Sequence, residues 1–495
     1  MNDGERENKA YIGGRFNMMR SMFSGVSGLR AHQLKMDVIG NNIANVNTVG
    51  YKGERANFQD VFSQTIKGAG SPQLGRGGTN PQQIGLGISL SSIDTFHERG
   101  AVQRTDNNTD IAINGDGFFI LSNSEDFLSR AYTRAGNFSL DEEGNLVASN
   151  GYRVLGYMED ETKNTGSGKP VLKGVMEGLQ ISKSKSFPAK ASDKATFTGN
   201  LNNNLAMIGE SVSLEDFYTP KEDSSKTPPI AELNLPAEIE YRETTSTFYD
   251  SLGGQHNIKF IFVRGLGADG EGMDSDDDDK ESTWGVIVQN LETGVFFNTA
   301  DPTGDDEPDY ANLVTNIRFT KEGSLLKGEA DYVTELELNI PGKNGSADFE
   351  VKVDLSQLTA FSNESSASVS SKNGYKQGYL DTFSIGPTGE IYGIFTNGQS
   401  RVIGQIVLAA FKNPAGLEKT AENMYQVTPN SGDAIYGLPG SSGLGALNPG
   451  TLEMSNVDIS REFTEMISTQ RGFQANSRII TTSDEMLQEL VNMKR

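Results

Sequence analysis

The chain has 495 residues, a formal net charge of −23 and no cysteine. The length predicts about three domains. The negative charge disfavours nucleic-acid binding because phosphates would be repelled, and the lack of cysteine excludes disulfides, thiolate metal sites and cysteine nucleophiles. The sequence contains no apolar run long enough to cross a membrane.

The first 17 residues are polar and charged, without the apolar core of a cleavable signal peptide. Gly13, Gly14 and Arg15 are residues that a purine-rich ribosome-binding site would encode just before Met18 or Met19. We therefore interpret residues 1–17 as a non-native or disordered N-terminal extension. Any export from the cytoplasm is expected to use a route without such a signal.

A helix is predicted from residue 21 to residue 44. An apolar stripe, with Gln33 on the same side, recurs there at helical spacing and comprises Val26, Leu29, Met36, Ile43 and Val46. The Asn-rich run 41–47 then ends the helix, because asparagine favours caps and turns.

A second helix is predicted at the end of the chain, where one stripe recurs at alternating steps of four and three residues. Its members are Ile459, Phe463, Met466, Gln470, Phe473, Ile480, Leu487 and Val491. Gln470 and Ser477 on this stripe either tolerate partial exposure or fix the register, and the sequence leaves both readings open. Because a lone amphipathic helix needs a partner, residues 18–50 and 455–495 are predicted to pair as a coiled coil, within one chain or between copies.

Between the helices the pattern is that of short β-strands. Residues 51–87 are predicted as a connecting segment, and residues 88–165 together with 371–454 as one inner β domain. Hairpins are predicted at three turn signals, at residues 114–117, 141–144 and 386–389. The predicted fold class is therefore multidomain and mainly β, with α-helical termini that pair and nested β domains between them.

The middle of the chain, residues 166–370, is strand-rich and holds most of the excess acidic residues. Its clearest strands are residues 258–263 and 284–288. We predict an outer β-rich acidic domain of one or two subdomains, inserted into the inner domain. Insertion is compatible with chain termini that lie close together.

Residues that could carry chemistry are few. The three histidines, His32, His97 and His256, are widely spaced and match no metal-ligand motif. Residues 265–270 match G-x-G-x-x-G, but an acidic run rather than a helix follows, so we reject a dinucleotide site. The acidic run 274–279 lacks the spacing of an EF-hand loop, which leaves at most weak Ca²⁺ binding. No catalytic, cofactor-binding or metal-binding residue is predicted.

Four motifs resemble those shared by the rod and hook axial proteins of bacterial flagella. They are residues 24–52 (with SGVSGL, DVIGNNIANVNT and GYK), 110–119 (DIAINGDGFF), 132–138 (YTRAGNF) and 470–478 (QRGFQANSR). Matching positions of these motifs are Asn41, Asn42, Asn45, Gly50, Gly115, Gly117, Phe118, Arg471 and Asn476. Two further stretches, 249–256 (YDSLGGQH) and 353–361 (VDLSQLTAF), resemble the hook branch of the family rather than the shorter rod branch.

The resemblance implies a structural subunit that polymerises with itself into a curved tube outside the cell, with no cofactor. It implies contacts with a distal rod protein, a hook–filament junction protein, a hook cap during assembly and the flagellar export apparatus. The alternatives are a distal rod or junction protein with a large insert, a surface protein whose middle domain is an adhesin, and an enzyme embedded in the insert. Trp284 as the single tryptophan disfavours a glycan-binding site, and the lack of a zinc-binding histidine motif disfavours a protease.

Overall fold

The computed structural model describes residues 3–72, 75, 77–160, 171–208, 218–220, 231–233, 239–267, 283–294, 296–297, 314–327, 333–441 and 443–493. The chain forms two compact units. The terminal unit comprises Met1–Lys183, Thr382–Ile394 and Ser400–Arg495, and the insert unit comprises Ser184–Asp381 and Phe395–Gln399.

The elements follow in chain order. Before the insert they are α1 (Asp3–Ala44), β1 (Glu54–Asp60), β2 (Ser63–Lys67), β3 (Gln82–Gly85), β4 (Ile88–Thr95), β5 (Val102–Arg104), β6 (Ile111–Asn114), β7 (Phe118–Ser122), β8 (Arg130–Thr133), β9 (Ser139–Leu140), β10 (Leu146–Val147), β11 (Arg153–Glu159) and β12 (Leu172–Gly178). Next come β13 (Ser186–Phe187), β14 (Lys194–Asn202), β15 (Tyr218–Pro220), β16 (Ala231–Leu233), β17 (Tyr241–Tyr249), β18 (Gln255–Arg264), β19 (Thr283–Asn290), β20 (Val314–Arg318), β21 (Glu335–Ile340), β22 (Phe349–Phe361) and β23 (Ser368–Lys372). The last are β24 (Gly378–Ile385), β25 (Glu390–Phe395), β26 (Ser400–Ile406), β27 (Leu408–Ala410), β28 (Glu418–Lys419), β29 (Met424–Gln426), β30 (Ile435–Gly437), β31 (Ala446–Pro449), β32 (Thr451–Glu453) and α2 (Ile459–Asn492).

Early and late strands pair throughout the terminal unit. β7 pairs with β27, β8 with β29 and β11 with β26, all antiparallel. Their apolar faces form one core, to which both halves of the chain contribute Phe118, Ile120, Tyr132, Leu155, Val407, Ala409, Phe411 and Tyr425. The mainly β fold class with helical termini is confirmed. α1 begins at Asp3, within the segment interpreted as an extension, and the translation start stays a prediction.

Two of the three predicted hairpins form. β9 pairs with β10, and β24 neighbours β25 in the large sheet. The prediction of a hairpin at residues 114–117 is wrong. β6 pairs with β31, while β7 pairs with β8, β11 and β27. A turn sequence sets the chain direction locally, but burial of Ile111 and Ile113 against strands from the other end of the chain decides the partner.

The connecting segment is an arm of two strand pairs, β1 with β4 and β2 with β3. Every residue of β2 and β3 is exposed. Strand β12 pairs with β11, so the terminal unit extends to Lys183 and the insert runs from Ser184, whereas the sequence placed the outer domain at residues 166–370.

The insert unit contains two four-stranded sheets, in the orders β17-β18-β19-β20 and β21-β22-β14-β23. Side chains from both, including Phe197, Phe260, Trp284, Leu338 and Val353, share one core, as in a β-sandwich. The two strands predicted for the middle are β18 and β19, and they pair antiparallel. Residues 268–270 of the glycine motif and the acidic run 274–279 lie outside the described residues.

Within the part of the chain that the structure describes, no helix has the length and apolar character needed to span a membrane. Across the same residues, no three His, Cys, Asp or Glu side chains gather into a group that could hold a metal ion.

A buried polar cluster closes one end of the sandwich. Asp250 accepts hydrogen bonds from the Leu252 and Gly254 amides at 2.9 and 2.7 Å and from Ser346 Oγ at 2.9 Å. His256 Nε2 lies 3.3 Å from Asp250 Oδ2 and the imidazole is fully buried.

The surroundings of His256 favour its neutral form. Burial lowers its pKa, and the nearby Lys343 ammonium acts in the same direction, while Asp250 opposes them. Lys343 is itself paired with Glu292. Nδ1 of the ring is buried with no hydrogen-bond partner among the described residues, so a second ring proton would be unsatisfied there.

Acid is therefore expected to destabilise the insert unit. Because the pKa of His256 is lower in the folded chain than in the unfolded chain, its stabilising contribution is complete above pH 6.5 and is lost as the pH falls below that value. Thermal unfolding can be followed by the fluorescence of Trp284, which is buried in this core. The midpoint temperature should be lower at about pH 5 than at about pH 7.5, because histidine titrates between these two values.

His256→Gln, which stays neutral, should flatten this dependence. His97→Gln, in the terminal unit, is the matched control and should leave the Trp284-detected slope unchanged. An undiminished slope in His256→Gln would refute the assignment.

Candidate functional site at the junction of the terminal helices

α1 and α2 pack against each other in antiparallel directions through a seam of small residues. A Cβ on Gly28 would lie 2.7 Å from Nδ2 of Asn476, and one on Gly25 would lie 3.4 Å from Cγ1 of Ile480. Further along, Lys35 pairs with Glu465 at 3.2 Å. Glycine at Gly28 thus lets Asn476 sit directly on the backbone of α1, and any larger side chain would push the helices apart.

The seam is only partly the stripe predicted from the sequence. Of that stripe on α2, Met466, Phe473, Ile480 and Leu487 are half-buried, while Ile459, Phe463, Gln470 and Val491 are exposed. On α1 the most buried positions are Gly25, Gly28, Ala31, Val38, Ile39 and Asn42, and the predicted residues Val26, Leu29, Met36, Ile43 and Val46 are half-buried beside them. The face that α1 turns to α2 is therefore not its most apolar stripe, because glycine and alanine allow closer approach than branched side chains. The role of the stripe residues in assembly stays a prediction.

Asn42, in the last turn of α1, ties three elements together. Its Oδ1 accepts from the Glu54 amide at 3.0 Å and from the Tyr51 hydroxyl at 3.2 Å. Its Nδ2 donates to Glu54 O at 2.8 Å and to Glu462 of α2 at 3.3 Å. The side chain is 2% exposed and its hydrogen-bonding capacity is used in full. Burial raises the pKa of Glu462, and the Asn42 hydrogen bond opposes that rise.

The rest of the Asn-rich motif shapes the turn after α1. Asn45 Nδ2 donates to Asn41 O at 2.9 Å, and Asn41 Nδ2 donates to the Tyr51 hydroxyl at 3.2 Å. Gly50 has a φ of +67°, and a Cβ there would lie 2.6 Å from the Ala135 amide nitrogen. Only glycine satisfies both the left-handed backbone and the close approach.

A buried ion cluster lies directly after this turn. Glu453 Oε1 is 2.6 Å from Lys52 Nζ and Glu453 Oε2 is 3.5 Å from Arg134 Nη1, with all three side chains at most 3% exposed. Gly50 N also donates to Glu453 O at 2.8 Å. Burial lowers the pKa of Lys52, and Glu453 counteracts this. One carboxylate thus pairs with a cation from the N-terminal segment and with another from the third motif.

The remaining motif residues surround this cluster or lie on α2. Arg134 Nη1 donates to Gly115 O at 2.8 Å, and its guanidinium lies 5.1 Å from the centre of the Phe118 ring. Gly117 has a φ of +130° and lies against Leu444. On α2, Asn476 belongs to the seam, whereas Arg471 is exposed.

Several junction residues were missed from the sequence. Asn456 accepts from the Gly53 amide at 2.8 Å and donates to Phe96 O at 2.9 Å. Asp458 caps α2 by accepting from the Ser460 amide at 2.9 Å. A cap signal before Ile459 could have found Asp458, but Glu453 has no local signal because Lys52 is 401 residues away.

Family models match four parts of the chain. They are described as flagella basal body rod protein over residues 22–52, flagellar hook protein FlgE/F/G D1 domain over 112–185, flagellar basal body protein FlaE D2 domain over 221–375, and flagellar basal body rod FlgEFG protein C-terminal over 448–493. The first and last matches contain the α1–α2 seam. Together with the paired helices and the junction, they define an axial structural protein of the bacterial flagellum.

Relatives resemble the chain over almost all of its length. The flagellar hook protein FlgE of Borreliella burgdorferi is 37% identical, over 96% of this chain and 100% of the relative. The hook protein FlgE of Treponema pallidum is 35% identical, over 97% and 100%. The flagellar basal-body rod protein FlgG of Bacillus subtilis is 29% identical, over 97% and 100%. The chain belongs to the flagellar hook protein family, which is a family of structural proteins and not of enzymes.

Removal of the charge of Glu453 should destabilise the terminal unit. Glu453→Gln keeps the shape of the side chain but leaves Lys52 and Arg134 buried without a counter-charge, which costs about 3–5 kcal/mol. Denaturant unfolding of the full chain, followed by far-ultraviolet circular dichroism, should show an earlier transition for this unit.

The matched control is Glu98→Gln, because the Glu98 side chain is exposed and only its carbonyl contacts Lys52. Glu98→Gln should unfold like the unmodified chain. A wild-type midpoint for Glu453→Gln would mean that the ion cluster does not hold the junction together.

Proposed function

We propose that copies of this chain assemble into the curved tubular hook, the universal joint that transmits torque from the rod to the filament. The observation that carries the proposal is that α1 and α2 pair within one chain and still expose large apolar side chains on α2. Ile459 is 44% exposed, Phe463 49% and Val491 57%. Burial of each such side chain between copies would contribute about 1.5–3 kcal/mol.

The junction would serve as the mechanical link within each subunit. Asn42 and Glu453 join the last turn of α1, the start of β1 and the strand before α2. A force on the helix pair would pass into the β-structure of the terminal unit through several hydrogen bonds and a buried ion cluster. Asn42 uses its hydrogen-bonding capacity in full, and buried polar groups satisfied in this way are rigid and specify one arrangement.

The further contacts that we propose follow from the family. They are the distal rod protein at one end of the tube, the hook–filament junction protein at the other, and the hook cap during growth. Export would proceed through the flagellar export apparatus without a cleavable signal peptide, and the assembled protein would lie outside the cell. No catalytic activity and no cofactor are part of the proposal.

A rod role is the second candidate, because the likeness to the Bacillus subtilis rod protein covers 97% of this chain. The hook role is favoured by the higher identity to two hook proteins and by the D2 domain match over residues 221–375.

Electron microscopy of basal bodies from a strain that lacks this gene separates the two roles. Intact rods without hooks are the expected result. A truncated rod would support the rod role, hooks without filaments would indicate a junction protein, and normal flagella would overturn the proposal altogether.

A charge in the seam should prevent polymerisation. Phe473 is half-buried on the α1-facing side of α2, so Phe473→Asp would place a carboxylate against apolar surface at a cost of several kcal/mol, on the order of the penalty for an unpaired buried charge. Sedimentation should find Phe473→Asp subunits in the supernatant under conditions that pellet unmodified tubes.

Thr464→Asp provides the control, because Thr464 is exposed on the side of α2 away from the seam. This variant should form tubes, and Trp284 fluorescence should show a folded insert unit in both variants. Tubes formed by Phe473→Asp would rule out the seam as an assembly element.

A further inference from the structure

α2 carries apolar side chains on three sides, and α1 covers only one of them. Besides the half-buried seam, the first half of the helix exposes Ile459, Phe463 and Ile467, which are 44%, 49% and 52% exposed. We call these three residues the first flank. The second half exposes Ile479 and Met486, at 44% and 45%, followed by Met493 at 73% just past the helix end. These three form the second flank.

The two flanks lie on opposite sides of the seam. Successive residues of an α-helix are rotated by about 100°, which places the first flank about 110° to one side of the seam and the second flank about 110° to the other. Members of the first flank recur at four-residue steps, one per turn, and members of the second flank at seven-residue steps, one every two turns. A helix with one covered side and a stripe to its left and right can contact two neighbours at once.

The charges beside the flanks are complementary. Arg471 is exposed on the outer side of α2, one turn beyond Ile467 of the first flank, and Glu485 and Glu489 are exposed on the same outer side around Met486 of the second flank. If a first flank met a first flank, the two copies of Arg471 would lie close together. A first flank that meets a second flank brings Arg471 towards Glu489, which favours that pairing and its register.

We propose that the first flank of one copy docks on the second flank of the next copy, and that this repeated heterologous contact joins successive copies of the polymer. The inference rests on the proposed function and deepens it by naming the surfaces. A contact between two different patches does not close on itself, so it generates rings or helical filaments rather than dimers.

The positions of the flanks also set a stagger between neighbours. The point midway between Phe463 and Ile467 is separated from Met486 by about 21 residues, or about 30 Å along the helix. A parallel neighbour displaced by that amount places Met486 between Phe463 and Ile467 and Arg471 within a turn of Glu489. Neighbouring helices in the tube are therefore expected to be offset by about 30 Å.

The absence of cysteine from the chain makes a direct crosslinking test possible. In the full-length double variant Phe463→Cys/Met486→Cys, oxidation of assembled tubes should give a ladder of covalent oligomers on a non-reducing gel. The bond must form between chains, because the two positions of one helix are about 35 Å apart and a disulfide needs Cα atoms within about 7 Å. Each single-cysteine variant alone should give no ladder, and a mixture of the two should stop at dimers.

The matched control is Thr464→Cys/Thr482→Cys, with both positions exposed on the outer side of α2 between the flanks. It should form tubes without a ladder. Tubes of the Phe463/Met486 variant without a ladder, or dimers of Phe463→Cys alone, would overturn the flank contact. If instead the unmodified chain forms no tubes, the proposed function fails, which is a different result.

If the two cysteine substitutions themselves prevent assembly, an exchange of charges between Arg471 and Glu489 tests the flank contact instead. Arg471→Glu should reduce the polymerised fraction several-fold, and the double variant Arg471→Glu/Glu489→Arg should restore it. No reduction in the single variant, or no recovery in the double variant, would refute the pairing of the two flanks.

Discussion

The buried contact of Glu453 with Lys52 and Arg134 is the constraint on which the rest of the terminal unit depends. It joins Lys52, which follows the turn after the first helix, to the last strand before the second helix, across 401 positions of sequence. Two cations withdrawn from water depend on this single carboxylate, because its removal leaves both charges unpaired in a low-dielectric site. The contact thus ties the N-terminal segment to the strand that precedes α2.

The seam holds the two helices of one chain together and still leaves apolar surface on α2 for contacts with other copies. Gly25 and Gly28 bring α1 close to Asn476 and Ile480, so the intrachain contact combines small residues with a few large ones. Other large apolar residues such as Phe463 and Ile467 remain exposed. The close contact at the glycines fixes the register of the two helices, and the apolar flanks are left for association.

The insert unit is organised differently. Its two sheets close around an apolar core that includes Trp284, and its polar cluster around Asp250 and His256 lies at one end of the sandwich. The stretch 249–256 contains both residues of this cluster, since Asp250 accepts hydrogen bonds from amides of the turn and His256 is buried. This stretch thus has a structural role within the insert, namely the closure of the β17–β18 turn.

Helical periodicity, turn residues and the four motifs are local signals, so the succession of helix, β-structure and helix and the class of protein could be predicted before the fold was known. It located Asn42, Gly50 and Asn476 as motif positions without showing what they do. The folded chain alone reveals that β6 pairs with β31 rather than with β7, that Glu453 and Asn456 complete the junction, and that Gly25 and Gly28 lie in the seam beside part of the predicted stripe. These are contacts between residues far apart in the chain, and their energies depend on burial and on fit. The sequence around a residue does not indicate which distant residue will pack against it.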